Sequence, residues 1–333
     1  MKKNARFINT ERIEGYVYST GSNFNQLSER TTGENSKHPG TKYIAGDLDI
    51  AVDEEGLNVI TIHYTYATPT YGSGQVNNTY TALKRIIDNP DRTWINGGKE
   101  NAFKVQCTGV SIAINDFIGA DGKFVAAIRN EGGFCSIVNE LGPEANRNTF
   151  SADMLITKVT HIDADPDKNI ENDFTTVSGA IFGYGKTIPV LLPASFTVRS
   201  EKGMEYFESL DATPSDPVFT KVWGHINCMT IKVKKTEESA FGGDYVQESE
   251  RKNREYLITG TAKVPYDFGD EEVLTANDVS TMNQNRQIML AEVESRHKER
   301  QAEKAANGVS FEATTKAPSA TKAAGVPEGG FVF

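Results

Sequence analysis

Residues 40–66 read GTKYIAGDLDIAVDEEGLNVITIHYTY. Ile44, Gly46, Leu48, Ile50 and Val52 alternate with Tyr43, Ala45, Asp47 and Asp49. Beyond the turn Asp53-Glu54-Glu55-Gly56, Ile60, Ile62, Tyr64 and Tyr66 alternate with Thr61, His63 and Thr65. A period of two in β-branched and aromatic residues marks half-buried strands. Upstream, Ile13, Gly15 and Val17 alternate with Glu14, Tyr16 and Tyr18, which adds a third strand. Downstream, the pattern predicts a short helix over 79–88, with Leu83, Ile86 and Ile87 on one face and Asn89-Pro90 as its stop. Two further strands follow, 103–114 and 123–138, the second interrupted at Gly132-Gly133.

The same order recurs. Strands are expected over 154–162, 175–182 and 188–198, a helix over 203–210, and closing strands over 219–233 and 256–264. Three strands, a helix and two strands form the layout of the five-stranded OB barrel. The expected fold is therefore mainly β: two OB-like barrels in tandem, residues 1–148 and 149–266. Residues 267–308 read as an acidic linker and a C-terminal helix, opened by a capping box at Thr275 and Asp278. Val279, Met282, Met289 and Val293 give that helix a partial apolar stripe. Residues 309–333 read as a disordered tail with an apolar tip, Phe331-Val332-Phe333. That tip is either a short docking peptide for a protein partner or an accident of the terminus.

The chain has 333 residues, enough for about two domains. Its 38% hydrophobic content supports real cores. No apolar run approaches the ~18 residues that span a bilayer. No apolar stretch follows Met1-Lys2-Lys3, so secretion is not expected. Cys107, Cys135 and Cys228 form no CxxC pair, and a reducing cytoplasm is the expected compartment. The net charge of −10 argues against a uniformly basic nucleic-acid binder. Residues 1–150 nevertheless carry 15 basic against 17 acidic side chains, which leaves room for a local positive groove.

Motifs for chemistry fail on inspection. Gly185-Lys186-Thr187 lacks the earlier glycine of a phosphate loop, and Ile188-Pro189-Val190 after it reads as a strand. Asp163, Asp165 and Asp167 imitate a calcium loop, but Lys168 and Phe174 occupy its glycine and glutamate positions. The five histidines are scattered singly. No metal, cofactor or catalytic residue is assigned, and the chain is read as a non-enzyme.

The residues that remain suit single-stranded nucleic acid, which is bound by aromatic platforms and by cations that track the backbone. If the aliphatic faces are core, Tyr16, Tyr18 and Tyr43 stand on the outer surface, with Lys42 beside Tyr43. Arg30 and Lys37 sit in a long loop, 20–41, that could wrap a strand. In the second unit Phe182, Tyr184 and Lys186 share one loop, and Lys221 and Trp223 open a strand.

The stretch 40–66, with TYTALKRIID (79–88), RNEGGFCSIVNEL (129–141), FTKVWGHI (219–226) and REYLITGTAKVPYDFGDEEVLT (254–275), resembles bacteriophage single-stranded DNA-binding proteins. The resemblance covers about residues 10–275. It implies non-catalytic work on single-stranded DNA in phage replication or recombination, within the host cytoplasm. It also implies replication or recombination proteins as partners of the tail, and a homo-oligomer is compatible with it. The tail is similar to those of bacterial single-stranded DNA-binding proteins, which end in an acidic, apolar tip. Here only Glu328 is acidic near the end. The alternative is a β-rich, self-assembling virion protein of the tail-tube kind.

Overall fold

The computed structural model describes residues 7–22, 24–119, 121–165, 170–184, 189–238 and 244–306. The first half contains β1 (Asn9–Ser19), β2 (Ser28–Thr31), β3 (Lys42–Ala51), β4 (Val59–Ala67), α1 (Asn78–Ile87) and α2 (Trp94–Gly97), then β5 (Lys104–Ile118), β6 (Phe124–Glu131) and β7 (Phe134–Val138). The second contains β8 (Asn148–Ile162), β9 (Phe174–Tyr184), β10 (Pro189–Val198), α3 (Glu201–Glu208), β11 (Val218–Glu238), β12 (Asp244–Thr261) and α4 (Ala276–Ala306). The fold is mainly β, and among the described residues no helix is long and apolar enough to cross a membrane.

Strand pairing closes on itself twice. β1 pairs β3, β3 pairs β4, β4 pairs β6, β6 pairs β5, and β5 returns to β1. In the second half β8 pairs β9, β9 pairs β10, β10 pairs β12, β12 pairs β11, and β11 returns to β8. Each ring holds one parallel contact, β4–β6 and β10–β12. A parallel pair needs a crossover, and a helix plus one strand, α1 with β5 or α3 with β11, supplies it. Asn77 caps α1 by accepting from the Thr79 amide, as its extended backbone allows.

The rings are joined rather than separate. β1 also pairs β8, with Asn9 opposite Ala152 and Ile13 opposite Asn148. Asn58 Oδ1 accepts from Cys228 N at 2.8 Å, and Asn148 Nδ2 donates to Ile226 O at 2.8 Å. One apolar cluster runs from Ile13, Ile44 and Leu48 through Phe150 to Phe196 and Tyr256. A smaller cluster places Phe182, Leu191 and Phe219 under Leu274, Val279 and Met282 at the start of α4. The capping box forms: Thr275 Oγ1 accepts from Asp278 N at 3.2 Å, and Asp278 Oδ2 accepts from Thr275 N at 3.1 Å. Arg286 then grips Asp116 at the end of β5 with two bonds, 2.5 and 2.6 Å, so α4 ties the second ring to the first.

Two elements differ from the sequence reading. The loop expected over 20–41 contains β2, which pairs β3. Its residues do not alternate in hydropathy, because the strand lies along the edge of β3 and buries little. The β11–β12 hairpin extends to Glu238 and Asp244, well past the apolar pattern that marks its base.

Candidate nucleic-acid interface

A bulge decides the surface of the first ring. Ile44 pairs Ala67, but Gly46 pairs Tyr64, so β4 carries one extra residue between them. Gly46 has φ 129°, and a Cβ there would lie 2.5 Å from the Gln26 carbonyl oxygen. Only glycine fits both constraints. An extra residue breaks the strict alternation of a strand. Tyr64 therefore points into the core at 3% exposure, whereas Tyr66 emerges on the outer face at 49%. Its ring meets that of Tyr43 at 4.7 Å, tilted by 38°.

Cations surround this pair. β2 sets Arg30 directly opposite Tyr43 and Thr31 opposite Lys42. The Lys42 side chain is largely exposed, with its ammonium 3.4 Å from Glu29. Glu29 also accepts from Tyr80 Oη at 2.8 Å and lies 3.6 Å from Lys84. The Tyr80 hydroxyl, with help from Lys42, holds the Glu29 carboxyl below its ordinary range. Lys37 is exposed in the β2–β3 loop. The structure thus gathers Arg30, Lys42 and Tyr43 and adds Tyr66, which strict period-two reading assigns to the core.

Other sequence candidates are placed differently. Tyr16 does not stand open on the outer face: the segment between α1 and β5 folds over it and leaves 9% exposed. Trp94 packs edge-on against Tyr16 at 5.6 Å and lies 6.1 Å from the half-buried Tyr18. The Tyr16 hydroxyl donates to Glu54, which is also held by Lys99 at 2.6 Å and Arg147 at 2.7 Å. Those two cations, Lys99 foremost, draw the Glu54 carboxyl down to about 2. Phe182 is no loop residue but core: it stacks on Phe7 at 4.0 Å beneath α4 and is fully buried. Hydropathy alternation could not reveal this, because α4, almost 100 residues later in the chain, covers what would otherwise be an outer face. The Tyr184 side chain, Lys186 and the tip Phe331, Val332 and Phe333 lie outside the described residues.

On the second ring, Trp223 is 41% exposed and half-buried Lys221 precedes it by two residues on β11. The indole covers Gly260 of β12, where a Cβ would meet its Nε1 at 2.5 Å. This leaves part of the ring open to solvent.

A cleft of about 230 Å³ opens farther along β3 and β4, lined by Asp47, His63, Asn115, Ala127, Arg129 and, from the second half, Arg254. Asp47 takes His63 Nδ1 at 2.6 Å and Asn25 Nδ2 at 3.0 Å. Beneath it, Tyr256 Oη lies 3.1 Å from Glu11 Oε1 and 2.9 Å from Asn130 Oδ1. One hydroxyl proton cannot serve both acceptors, but a protonated Glu11 can donate in turn. Burial pushes the Glu11 carboxyl up to about 7 against the opposing pull of Arg254 and Tyr256.

Cys107 and Cys135, distant in sequence, are opposite one another across β5–β7, both buried, with Tyr64 Oη 3.6 Å from Cys107 Sγ.

No curated protein matches the chain. Among solved structures, a deletion variant of the single-stranded DNA-binding protein from Thermus aquaticus is similar over 80% of this chain and 100% of that one, at 10% identity and a TM-score of 0.43. Residues 19–296 match the family model described as YorF, and the chain belongs to the YorF family.

Proposed function

We propose that this chain binds single-stranded DNA, stacking bases on the Tyr43–Tyr66 pair while Arg30, Lys37 and Lys42 follow the backbone. The observation that carries the reading is the bulge in β4 opposite Gly46, which turns a second tyrosine out of the core and onto the first. A lone exposed tyrosine is ordinary; two neighbouring rings flanked by cations are what an unpaired strand requires.

Strand order supports the same reading. Counting β1, β3, β4, β5 and β6 as one to five, the ring closes in the order 1-2-3-5-4 with α1 between three and four. We take both rings as OB-type barrels, residues 1–148 and 149–266, with 267–308 as linker and helix. In such barrels, strands two and three and the loop joining strands one and two bind oligonucleotides. Tyr43, Tyr66 and Lys37 occupy those places in the first ring. In the second, α4 packs on the equivalent strand β10, so Trp223 and Lys221 on β11 are the second ring's contribution. The role is non-catalytic and belongs to phage replication or recombination in the host cytoplasm, with the terminal Phe331-Val332-Phe333 as the docking peptide for partner proteins. This rests on the family resemblance stated above.

The test is an anisotropy titration with a labelled oligonucleotide, single- against double-stranded, at two salt concentrations. Single strands should bind better, since duplex bases are already stacked, and affinity should fall with salt as counterions are released. Equal affinity for both forms would remove the stacking argument.

A further inference from the structure

Cys107 of β5 and Cys135 of β7 stand directly opposite in the antiparallel register, and both thiols are free. One hydrogen bond tells which kind of pair they form. Cys135 N donates to Thr79 Oγ1 of α1 at 3.2 Å, so the hydrogen-bonding edge of Cys135 turns away from β5. The two cysteines are therefore a non-hydrogen-bonded pair, in which facing Cα atoms lie about 4.5 Å apart and side chains come closest. That spacing falls within the range of roughly 4.4–6.8 Å that a disulfide bridges. Both side chains enter the same core, at 0% and 1% exposure. A hydrogen bond to Cys107, together with burial, holds the Cys135 thiol well above its ordinary value. Cys228 faces Arg254 across β11–β12, not a thiol.

Access comes from the strand that carries Cys135. β7 has five residues, lies at the end of the sheet and, among the described residues, pairs with β5 alone. Gly132 and Gly133 precede it, at φ 70° and 88°. A short edge strand opens locally at lower cost than a strand paired on both sides. While β7 is closed, the buried thiols stay protonated and inert; when it lifts, Cys135 can ionise and react.

We propose that Cys107 and Cys135 are a dithiol pair that a small disulfide, such as oxidised glutathione, converts to an intramolecular disulfide within the folded chain. The Cys135 thiolate attacks one sulfur of the small disulfide, whose S–S bond breaks and releases one thiolate. The Cys107 thiolate then attacks Cys135 Sγ in that mixed disulfide; the cross-strand S–S bond forms and the second small thiol leaves. Two electrons pass from the cysteines to the small disulfide, and the two cysteine protons end on the released thiols. The β5–β7 register is the same before and after, so the step is independent of DNA binding.

The experiment incubates the reduced full chain with oxidised glutathione in native buffer, then counts thiols after denaturation and maps the linked peptides. Wild type should fall from three thiols to one, with Cys107 joined to Cys135, and dithiothreitol should restore all three. Cys228→Ala should still lose two thiols, and Cys135→Ala should keep both of its own. The oxidised protein should melt several degrees higher, because the bond ties off residues 107–135 in the unfolded chain. Three thiols persisting in native buffer, a bond that involves Cys228, or a melting temperature unchanged or lowered by oxidation overturns the proposal.

Discussion

Tyr43 and Tyr66 meet at 4.7 Å on the outer face of β3 and β4 because β4 carries one residue more than β3 between its pairs with Gly46 and Ile44. Without the extra residue, Tyr66 would follow Ile60, Ile62 and Tyr64 inward. The glycine is the hinge of this arrangement. Gly46→Ala should destabilise the protein by roughly 1–3 kcal/mol, since its Cβ meets the Gln26 backbone at a φ that alanine rarely adopts. Chemical denaturation measures the loss. Wild-type stability in the variant would mean that β2 moves away freely.

Tyr16 should behave as a structural residue. Tyr16→Phe removes the hydroxyl bonded to Glu54 and should cost about 1 kcal/mol of stability. Tyr16→Ala should cost about 3–5 kcal/mol, the range for emptying a buried aromatic site. Oligonucleotide affinity of the folded fraction should not change in either. A loss of affinity without a loss of stability would restore Tyr16 as a binding platform.

The buried Glu11 gives stability a pH dependence whose sign follows from its direction of shift. Its carboxyl rises from 4.5 to about 7 on folding, so the folded state holds the proton more tightly. The contribution is fully present below 4.5 and is lost as pH rises through about 7. A shift of this size corresponds to roughly 3 kcal/mol. Glu11→Gln should therefore raise the melting temperature at about pH 8 relative to wild type and change it little at about pH 5. Parallel pH profiles for the two proteins would show that Glu11 titrates normally.

Phe182 and Arg286 report on how α4 is held. Phe182→Ala should cost about 3–5 kcal/mol of stability through the cavity left between Phe7, Phe219 and the helix. Arg286→Met leaves Asp116 buried without its partner and should cost roughly 3–5 kcal/mol, the range for breaking a buried ion pair. Thermal melts of the two variants check both values. If either is silent, α4 is not fixed against β5 and β10 as described.

The order of strands and helices was readable because each ring strand has one face on a continuous core. Ile44, Leu48 and Ile50 show it, as does the helix stripe of Leu83 and Ile86. The surface was less readable, for three local reasons. Tyr66 escaped because a bulge needs two strands to define it, and one strand's pattern does not contain its partner's register. Tyr16 misled because its cover, Trp94, arrives on the short helix α2 nearly 80 residues later. Phe182 misled because α4 lies beyond the repeated units. For Tyr16 and Phe182 alternation separated the two faces and tertiary cover decided which stayed open, whereas for Tyr66 the bulge itself broke the alternation. The cysteines follow the same logic: Cys107 and Cys135 meet only through the β5–β7 register.

If Tyr66 stacks a base, the affinity of Tyr66→Ala for a single-stranded oligonucleotide reads its loss. Half of the side chain is already in water, so the melting temperature should move little. Affinity should fall by roughly 1–3 kcal/mol, the usual loss for one base–aromatic stack, and Tyr66→Phe should retain most of it because the ring remains. Unchanged affinity in Tyr66→Ala, with wild type binding single strands, would place the stacking surface elsewhere on the chain.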